Sequence, residues 1–116
     1  MRNFRNLDVW TEAIEIASLV YTVTKNFPKH EMYGLTSQIN RCSVSIPSNI
    51  AEGCSRATAK DFSRFLEISI GSAFEMETQL EIAQKLNYLN SESFNSIIFR
   101  LNILQKRINA LRTSIK

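Results

Sequence analysis

Apolar residues recur at three- and four-residue steps along most of the chain, and this spacing predicts helices. Four helices are expected, from about Asp8 to Lys25, Thr36 to Glu52, Ala59 to Asn87, and Glu92 to the C-terminus. The connections between them are short, which favours antiparallel packing of successive helices. The pattern therefore predicts one all-α domain over residues 1–116, folded as an up-down-up-down four-helix bundle.

The first predicted helix carries two apolar stripes. The stripe expected to face the core consists of Leu7, Trp10, Ile14, Ala17 and Tyr21. A second stripe, spaced by seven residues, consists of Val9, Ile16 and Val23. Because one stripe is enough to fill the core of a bundle, the second indicates an interface.

The last predicted helix shows the same surplus. Its long core stripe begins at Phe94, whereas Phe99 and Ile103 fall on nearly the opposite side. We therefore expect a homo-oligomer whose interface candidates are Val9, Ile16, Val23, Phe99 and Ile103. The alternative is that the surplus stripes cover one another within a single chain.

The second predicted helix contains a run that breaks the usual rules of helices. Pro47 removes one backbone hydrogen bond from the middle of the pattern, and nearby polar side chains compete with the backbone. The motif consists of Ser45, Pro47, Ser48, Asn49, Glu52 and Gly53. It is interpreted either as a binding notch or, preferably, as side chains that satisfy the interrupted backbone. Gly53 is expected to end the helix as its C′ residue.

Local signals also mark the ends of the third and fourth helices. Thr58 and Asp61 resemble a capping box at the start of the third helix. Gly71 and Ser72 lie within that helix, where the glycine is expected to let a neighbour approach closely. Ser91 is the expected N-cap of the fourth helix.

The composition narrows the possible functions. Of 116 residues, 44% are hydrophobic, yet no apolar run reaches the roughly 18 residues that span a bilayer. No signal peptide is apparent, so a cytoplasmic protein with no membrane contact is expected. Cys42 and Cys54 are too far apart on one helix for a disulfide. Two cysteines and a single histidine, His30, cannot supply the four ligands of a zinc site. No serine has a nearby His or Lys that could act as its base, and no general acid/base pair or phosphate-binding loop is found. The sequence therefore predicts neither an enzyme nor a cofactor.

The charge is mildly basic and unevenly distributed. The net charge is +3, and the segment from Ser93 to Lys116 has five basic residues and no acidic one. Such charge suits a polyanion partner, although a solvated charged face is the simpler interpretation for a monomer. The candidates for nucleic-acid binding are Arg41, Arg56, Lys60, Arg64, Arg100, Lys106, Arg107 and Arg112.

Several motifs resemble one known family. They are Phe4-Arg-Asn-Leu-Asp-Val-Trp10, Phe27-Pro28, Tyr33-Gly-Leu-Thr-Ser-Gln38, Ser45-Ile-Pro-Ser-Asn-Ile-Ala-Glu-Gly53, Phe65-Leu66 and Gly71-Ser72. On these the chain resembles the four-helix-bundle proteins of the 23S rRNA intervening-sequence family, also called S23-type ribosomal proteins. The resemblance implies assembly into rings, with a pentamer favoured. A related branch serves as accessory proteins of diversity-generating retroelements, so a reverse transcriptase or another protein is a possible partner.

Residues and resemblance together predict a non-catalytic homo-oligomer that binds RNA or DNA through backbone charge contacts, with little sequence preference. Five copies of the +3 chain would carry about +15, and phosphate binding grows with the number of charges presented together. The alternative is a scaffolding oligomer that docks a protein partner without binding nucleic acid.

Overall fold

The computed structural model describes residues 2–115, and these form an all-α fold as predicted. The four helices are α1 (Asp8–Thr24), α2 (Leu35–Cys54), α3 (Ala59–Lys85) and α4 (Ser91–Ser114). Short 3-10 turns at Phe4–Asn6 and Lys29–Glu31 precede α1 and α2. The described part measures 44 × 25 × 20 Å, as expected for a bundle about as long as its longest helix.

Each helix packs against its two neighbours in a closed cycle. Helix α1 contacts α2 and α4, and α3 contacts α2 and α4. Side-chain contacts show that neighbours are antiparallel: Arg100 of α4 meets Glu12 of α1, whereas Arg107, further along α4, meets Asp8 at the start of α1. The result is the predicted up-down-up-down connectivity.

The core faces of α3 and α4 agree with the predicted stripes. Phe62, Leu66 and Met76 of α3 and Leu101 and Leu104 of α4 are completely or almost completely buried. Burial of such side chains is the main favourable term in folding. Their heptad-like spacing explains why these two faces could be identified from the sequence.

The core face of α1 is not the one expected. The Val9 and Ile16 side chains are 6% and 1% exposed, and Val23 is packed against the core, so this stripe belongs to the interior of one chain. Ile14 and Tyr21, assigned to the core from the sequence, are 43% and 44% exposed. Val9 and Ile16 are therefore corrected from interface candidates to core residues.

Relative to the prediction, α1 is rotated about its own axis, and its contacts with α4 explain this difference. Glu12 and Glu15 both bind Arg100 of α4 at 3.0 Å. Ile16 follows Glu12 by four residues and therefore lies on nearly the same face, beside the carboxylates directed at α4, whereas Ile14 lies on the far side of α1. The sequence could not show this, because the decisive partner lies about 85 residues away and both stripes have helical spacing.

Two glycines have roles that differ from those expected. Helix α2 continues through Cys54, and Gly53 lies within its last turn with negative φ, so it is not a left-handed C′ residue. A Cβ atom at Gly53 would lie 2.8 Å from the Cβ of Phe65 and 3.0 Å from the Cδ1 of Phe62, so Gly53 permits α3 to approach. Gly71, by contrast, has open space where its Cβ would lie, so it permits no close approach within the described residues.

The helix ends were predicted more accurately. The Thr58 hydroxyl accepts a hydrogen bond from the Asp61 backbone N–H at 3.1 Å, which confirms the predicted cap of α3. The cap of α4 is Asn90 rather than Ser91, because the Asn90 side chain accepts from the Ser93 N–H at 2.8 Å. Between them, Asn87 adopts a left-handed conformation (φ 63°), and the chain turns there.

Helix α2 is capped by a glutamate from the preceding 3-10 turn. The Leu35 N–H donates to Glu31 Oε1 at 3.0 Å, and the Tyr88 hydroxyl donates to Glu31 Oε2 at 2.9 Å. These bonds to the charged form, first that from Leu35 and then that from Tyr88, hold the pKa of Glu31 below its ordinary value.

A lowered pKa predicts how acid affects the bundle. The stabilisation from ionised Glu31 is present above the ordinary carboxyl pKa and is lost as the pH falls through the lower folded pKa. Between about pH 5 and about pH 3, the melting temperature of the wild type should therefore fall by more than that of Glu31→Gln. Thermal melts across this range measure the difference, with Glu81→Gln, an exposed carboxyl of α3, as the matched control. Equal pH slopes for wild type and Glu31→Gln would show that ionisation of Glu31 contributes nothing to stability.

Candidate nucleic-acid interface

Basic residues gather at the end of the bundle where α1 begins, α2 ends and α3 begins. The Arg2 N–H donates to the Cys54 carbonyl at 3.0 Å, which ties the N-terminal segment to the end of α2. The Arg2 guanidinium lies 4.4 Å from the ring centre of Phe62, and that of Arg56 lies 4.7 Å from the ring centre of Phe65. Stacking on aromatic rings orients both charges, and Arg56 keeps N–H donors beyond the one that binds Glu52.

Lys60 and Arg64 extend this surface along α3. They are exposed, one turn apart, and no carboxylate of residues 2–115 forms an ion pair with either. Arg56 forms a 2.9 Å ion pair with Glu52. Arg5 lies in the 3-10 turn before α1, with its guanidinium 5.5 Å from the ring centres of Phe4 and Trp10. We define the basic end as Arg2, Arg5, Arg56, Lys60 and Arg64.

The basic residues of α4 do not form a cationic face. Three of its arginines bind carboxylates of neighbouring helices: Arg100 binds Glu12 and Glu15, Arg107 binds Asp8, and Arg112 binds Glu67. The bond to Glu12 raises the pKa of the Arg100 guanidinium. Charges that are segregated along the sequence are therefore interleaved in space.

The remaining candidates, Lys106 and Arg41, lie apart from the basic end. Lys106 lines a groove between α3 and α4, and Arg41 lines a small polar notch between α2 and α3. Neither forms an ion pair with a carboxylate of the described residues. The structure thus brings Arg56, Lys60 and Arg64 together and leaves the other candidates dispersed.

The motif around Pro47 joins α2 to α3. The Ser45 and Ser72 hydroxyls lie 2.8 Å apart, and the Asn49 amide donates to both the carbonyl and the hydroxyl of Ser45 at 2.8 and 2.9 Å. The Ser69 hydroxyl, completely buried, donates to the Ile46 carbonyl at 2.9 Å. Pro47 is buried, whereas Ser48 is exposed. Sequence reasoning missed Ser69, whose signal was a small polar residue at a core position of α3.

A polar notch opens beside the seam between α2 and α3, which is the line of contacts made by Ser45, Ser69 and Ser72. It is lined by Gln38, Arg41, Cys42, Ser45, Ser72, Glu75 and Gln79. Burial raises the pKa of the Cys42 thiol, and the Glu75 carboxylate raises it further. Cys42 and Cys54 are both free and buried. Glu75 and Gln79 carried no signal in the sequence, because single polar residues on a helix are ordinary.

Apolar side chains remain exposed on two opposite sides of the bundle. On the side of α1 and α2, Ile14, Tyr21 and Val44 are 43%, 44% and 45% exposed. On the side of α3 and α4, Phe74 is 59% exposed and lines a groove of about 1010 Å³. Phe99 and Ile103 are exposed on α4, as the sequence predicted.

Neither a metal-binding cluster nor a membrane-spanning helix is seen among residues 2–115. No group of three or more His, Cys, Asp or Glu side chains could hold a metal ion there. None of the described helices is both long enough and apolar enough to cross a membrane.

Comparison with known proteins identifies the family. Residues 5–110 match the sequence profile of the 23S rRNA-intervening sequence protein. The chain belongs to this family. The match covers nearly the whole bundle, including the Pro47 motif and the basic end from Arg5 onward, and confirms the resemblance found in the sequence. A search of curated proteins found no match to the chain.

A solved structure supports the four-helix fold of the chain. A crystal structure from Bacteroides thetaiotaomicron, described as a protein of unknown function from the S23 ribosomal protein family, superposes with a TM-score of 0.84. The alignment covers 90% of this chain and 95% of the other at 24% identity. At that identity the likeness establishes the four-helix fold and leaves function to the residues of this chain.

Proposed function

We propose that this protein is a non-catalytic homo-oligomer that binds RNA or DNA phosphates through the basic end of its bundle. The observation that carries the proposal is the gathering of Arg2, Arg5, Arg56, Lys60 and Arg64 from three separate segments at one end. Guanidinium groups bind phosphate bidentately, and Lys60 adds a mobile charge. Such contacts read the backbone and give little sequence preference.

Self-association would strengthen binding, because the basic end of one chain carries only a small positive charge and an assembly presents several such ends. The acidic residues Glu52, Asp61 and Glu67 lie near the basic end, so one chain presents only a small excess of positive charge. Several basic ends held in one assembly would engage a single polyanion together, and multivalency raises affinity without new contacts.

The two opposite apolar faces favour a ring. A contact between the α1–α2 side of one chain and the α3–α4 side of the next joins two different surfaces, and such head-to-tail contacts close into rings when the rotation permits. We propose a homo-oligomeric ring, with the pentamer as the favoured state. The name of the family refers to 23S rRNA, which makes structured RNA the first ligand to test.

Removal of charge at the basic end should weaken binding to every sequence. We expect Arg56→Gln, Lys60→Gln and Arg64→Gln together to lower affinity for a structured RNA about tenfold or more near 50 mM salt, and to flatten the salt dependence. Fluorescence anisotropy across a series from about 50 to about 200 mM salt measures both effects.

The matched control removes the same charge from the opposite end of the bundle. Lys25, Lys29 and Lys85 are exposed there, and changing all three to Gln should affect affinity far less. Equal losses for the two triple variants would show that binding follows net charge alone. Absence of RNA and DNA binding by the folded, assembled wild type at low salt would overturn the proposed function.

A second candidate function is docking of a protein partner, such as a reverse transcriptase, without binding nucleic acid. It is favoured by the ion pairing of Arg100, Arg107 and Arg112, which offsets three positive charges of α4. The apolar groove at Phe74 would then be the docking surface. Failure of nucleic-acid binding in the salt series would favour this candidate.

A further inference from the structure

The polar notch between α2 and α3 contains a buried acceptor that lacks a donor. Gln79 is only 7% exposed, and its Oε1 atom has no hydrogen-bond partner among residues 2–115. Ser45, Asn49 and Ser72, along the same seam, satisfy one another. Because buried polar atoms of folded proteins are nearly always paired, this acceptor points to a ligand that brings an N–H or O–H group.

The rims of the notch carry opposite charges. Arg41 lies on the α2 side and Glu75 on the α3 side, and both side chains are exposed and line the notch. The ion pairs of the described residues include neither of them. The notch therefore offers a carboxylate and an amide oxygen as acceptors and a forked guanidinium as donor. A fitting ligand has adjacent donors on one edge and adjacent acceptors on the next.

We propose that this notch binds an unpaired guanine base of the RNA or DNA held at the basic end. Guanine presents two neighbouring N–H donors, at N1 and N2, for the Glu75 carboxylate and Gln79 Oε1. Its O6 and N7 atoms accept the two parallel hydrogen bonds that arginine commonly makes to guanine, here from Arg41. Adenine and cytosine each offer one exocyclic amine and uracil one ring N–H, so none of them supplies two adjacent donors beside two acceptors.

This inference rests on the proposed function and deepens it. Phosphate contacts at the basic end supply the affinity, and the notch adds a local preference for one unpaired base. Guanines within a duplex have their N1–H and N2–H groups engaged in pairing. The preference should therefore be confined to single-stranded regions.

The preference is measured with two single-stranded RNA 12-mers, one of uridine alone and one with two central guanosines. Wild type should bind the guanosine strand on the order of tenfold more tightly, the discrimination of one good bidentate contact. Glu75→Gln should reduce the ratio of the two affinities to less than about twofold. Glu81→Gln, an exposed glutamate of α3 that lines the opposite groove, is the matched control and should retain the preference.

Gln79→Met and free nucleotides provide independent tests. Methionine fills a similar volume without the buried oxygen, so we expect the variant to melt no lower than wild type and to lose the preference for guanosine. GMP, but not AMP, CMP or UMP at equal concentration, should shift the NMR signals of the Gln79 side-chain amide.

Failure of this proposal can be distinguished from failure of the proposed function. Equal binding of both strands with an intact salt dependence, and no response to GMP, would overturn the guanine site while the phosphate surface stands. A preference that survives Glu75→Gln and Gln79→Met would overturn it as well. Absence of binding to both strands, to the structured RNA and to DNA at low salt, together with no response to GMP, would overturn both proposals.

Discussion

An aspartate at Ile16 should unfold the bundle, whereas the same change at Ile14 should leave it folded. Ile16 is 1% exposed in the core, and Ile14, two residues earlier, is 43% exposed. A carboxylate buried without a partner costs on the order of 4–5 kcal/mol or more, which is comparable to the entire stability of many small domains. Circular-dichroism melts should show loss of the cooperative transition for Ile16→Asp alone.

The exposed member of this pair also tests the assembly. Ile14→Asp, and Ile103→Asp on α4 at the same 43% exposure, should lower the mass measured by light scattering while helicity and melting stay close to wild type. This is the reverse of the assignment made from the sequence, in which Ile16 was expected at an interface. A folded Ile16→Asp protein, or Ile14→Asp and Ile103→Asp proteins of unchanged oligomeric mass, would contradict this account of the two stripes.

The two helical glycines should respond to alanine in opposite directions. At Gly53 the new Cβ would lie 2.8 Å from the Cβ of Phe65, which is fixed to the α3 backbone, so the helices must separate. Overpacking of this kind outweighs the gain in helix propensity, and we expect a net loss of about 2 kcal/mol. At Gly71 a Cβ would have open space, so alanine should add about 0.5–1 kcal/mol of stability.

Urea or thermal unfolding measures this contrast, and each glycine serves as the control for the other. The expected difference corresponds to a shift of several degrees in melting temperature for a chain of this size. If Gly71→Ala destabilises the assembled protein but not its monomeric variants, a neighbouring chain must lie against that surface. If Gly53→Ala is neutral, close packing of α2 on α3 does not depend on this residue.

The sequence predicted what local spacing determines. The number of helices, their ends to within two residues and the core faces of α3 and α4 follow from apolar periodicity and capping residues. The rotation of α1 did not, because both of its stripes have helical spacing and the choice depends on Arg100 of α4. The role of Gly53 was missed for a similar reason, since its contact with Phe65 joins two helices.

The candidate site was predicted less completely than the fold. Arg56, Lys60 and Arg64 are close in sequence, so their proximity was foreseeable. Arg2 was not recognised, since only the fold brings the N-terminal segment to the end of α2. The cationic face expected for α4 is not formed, because its three arginines pair with Asp8, Glu12 and Glu67 from distant parts of the sequence. Long-range ion pairs leave no local signal.

The polar contacts of the bundle differ between its seams. Helices α1 and α4 are joined by charged pairs of Arg100 and Arg107, whereas α2 and α3 are joined by uncharged bonds of Ser45, Ser69 and Ser72. Dissolved ions screen the first kind of contact and hardly affect the second. As ionic strength rises, the first and last helices should part more readily than the middle two, and amide protons of α1 should exchange sooner. The salt concentration therefore changes how often the contact between α1 and α4 opens, whether or not a ligand is bound.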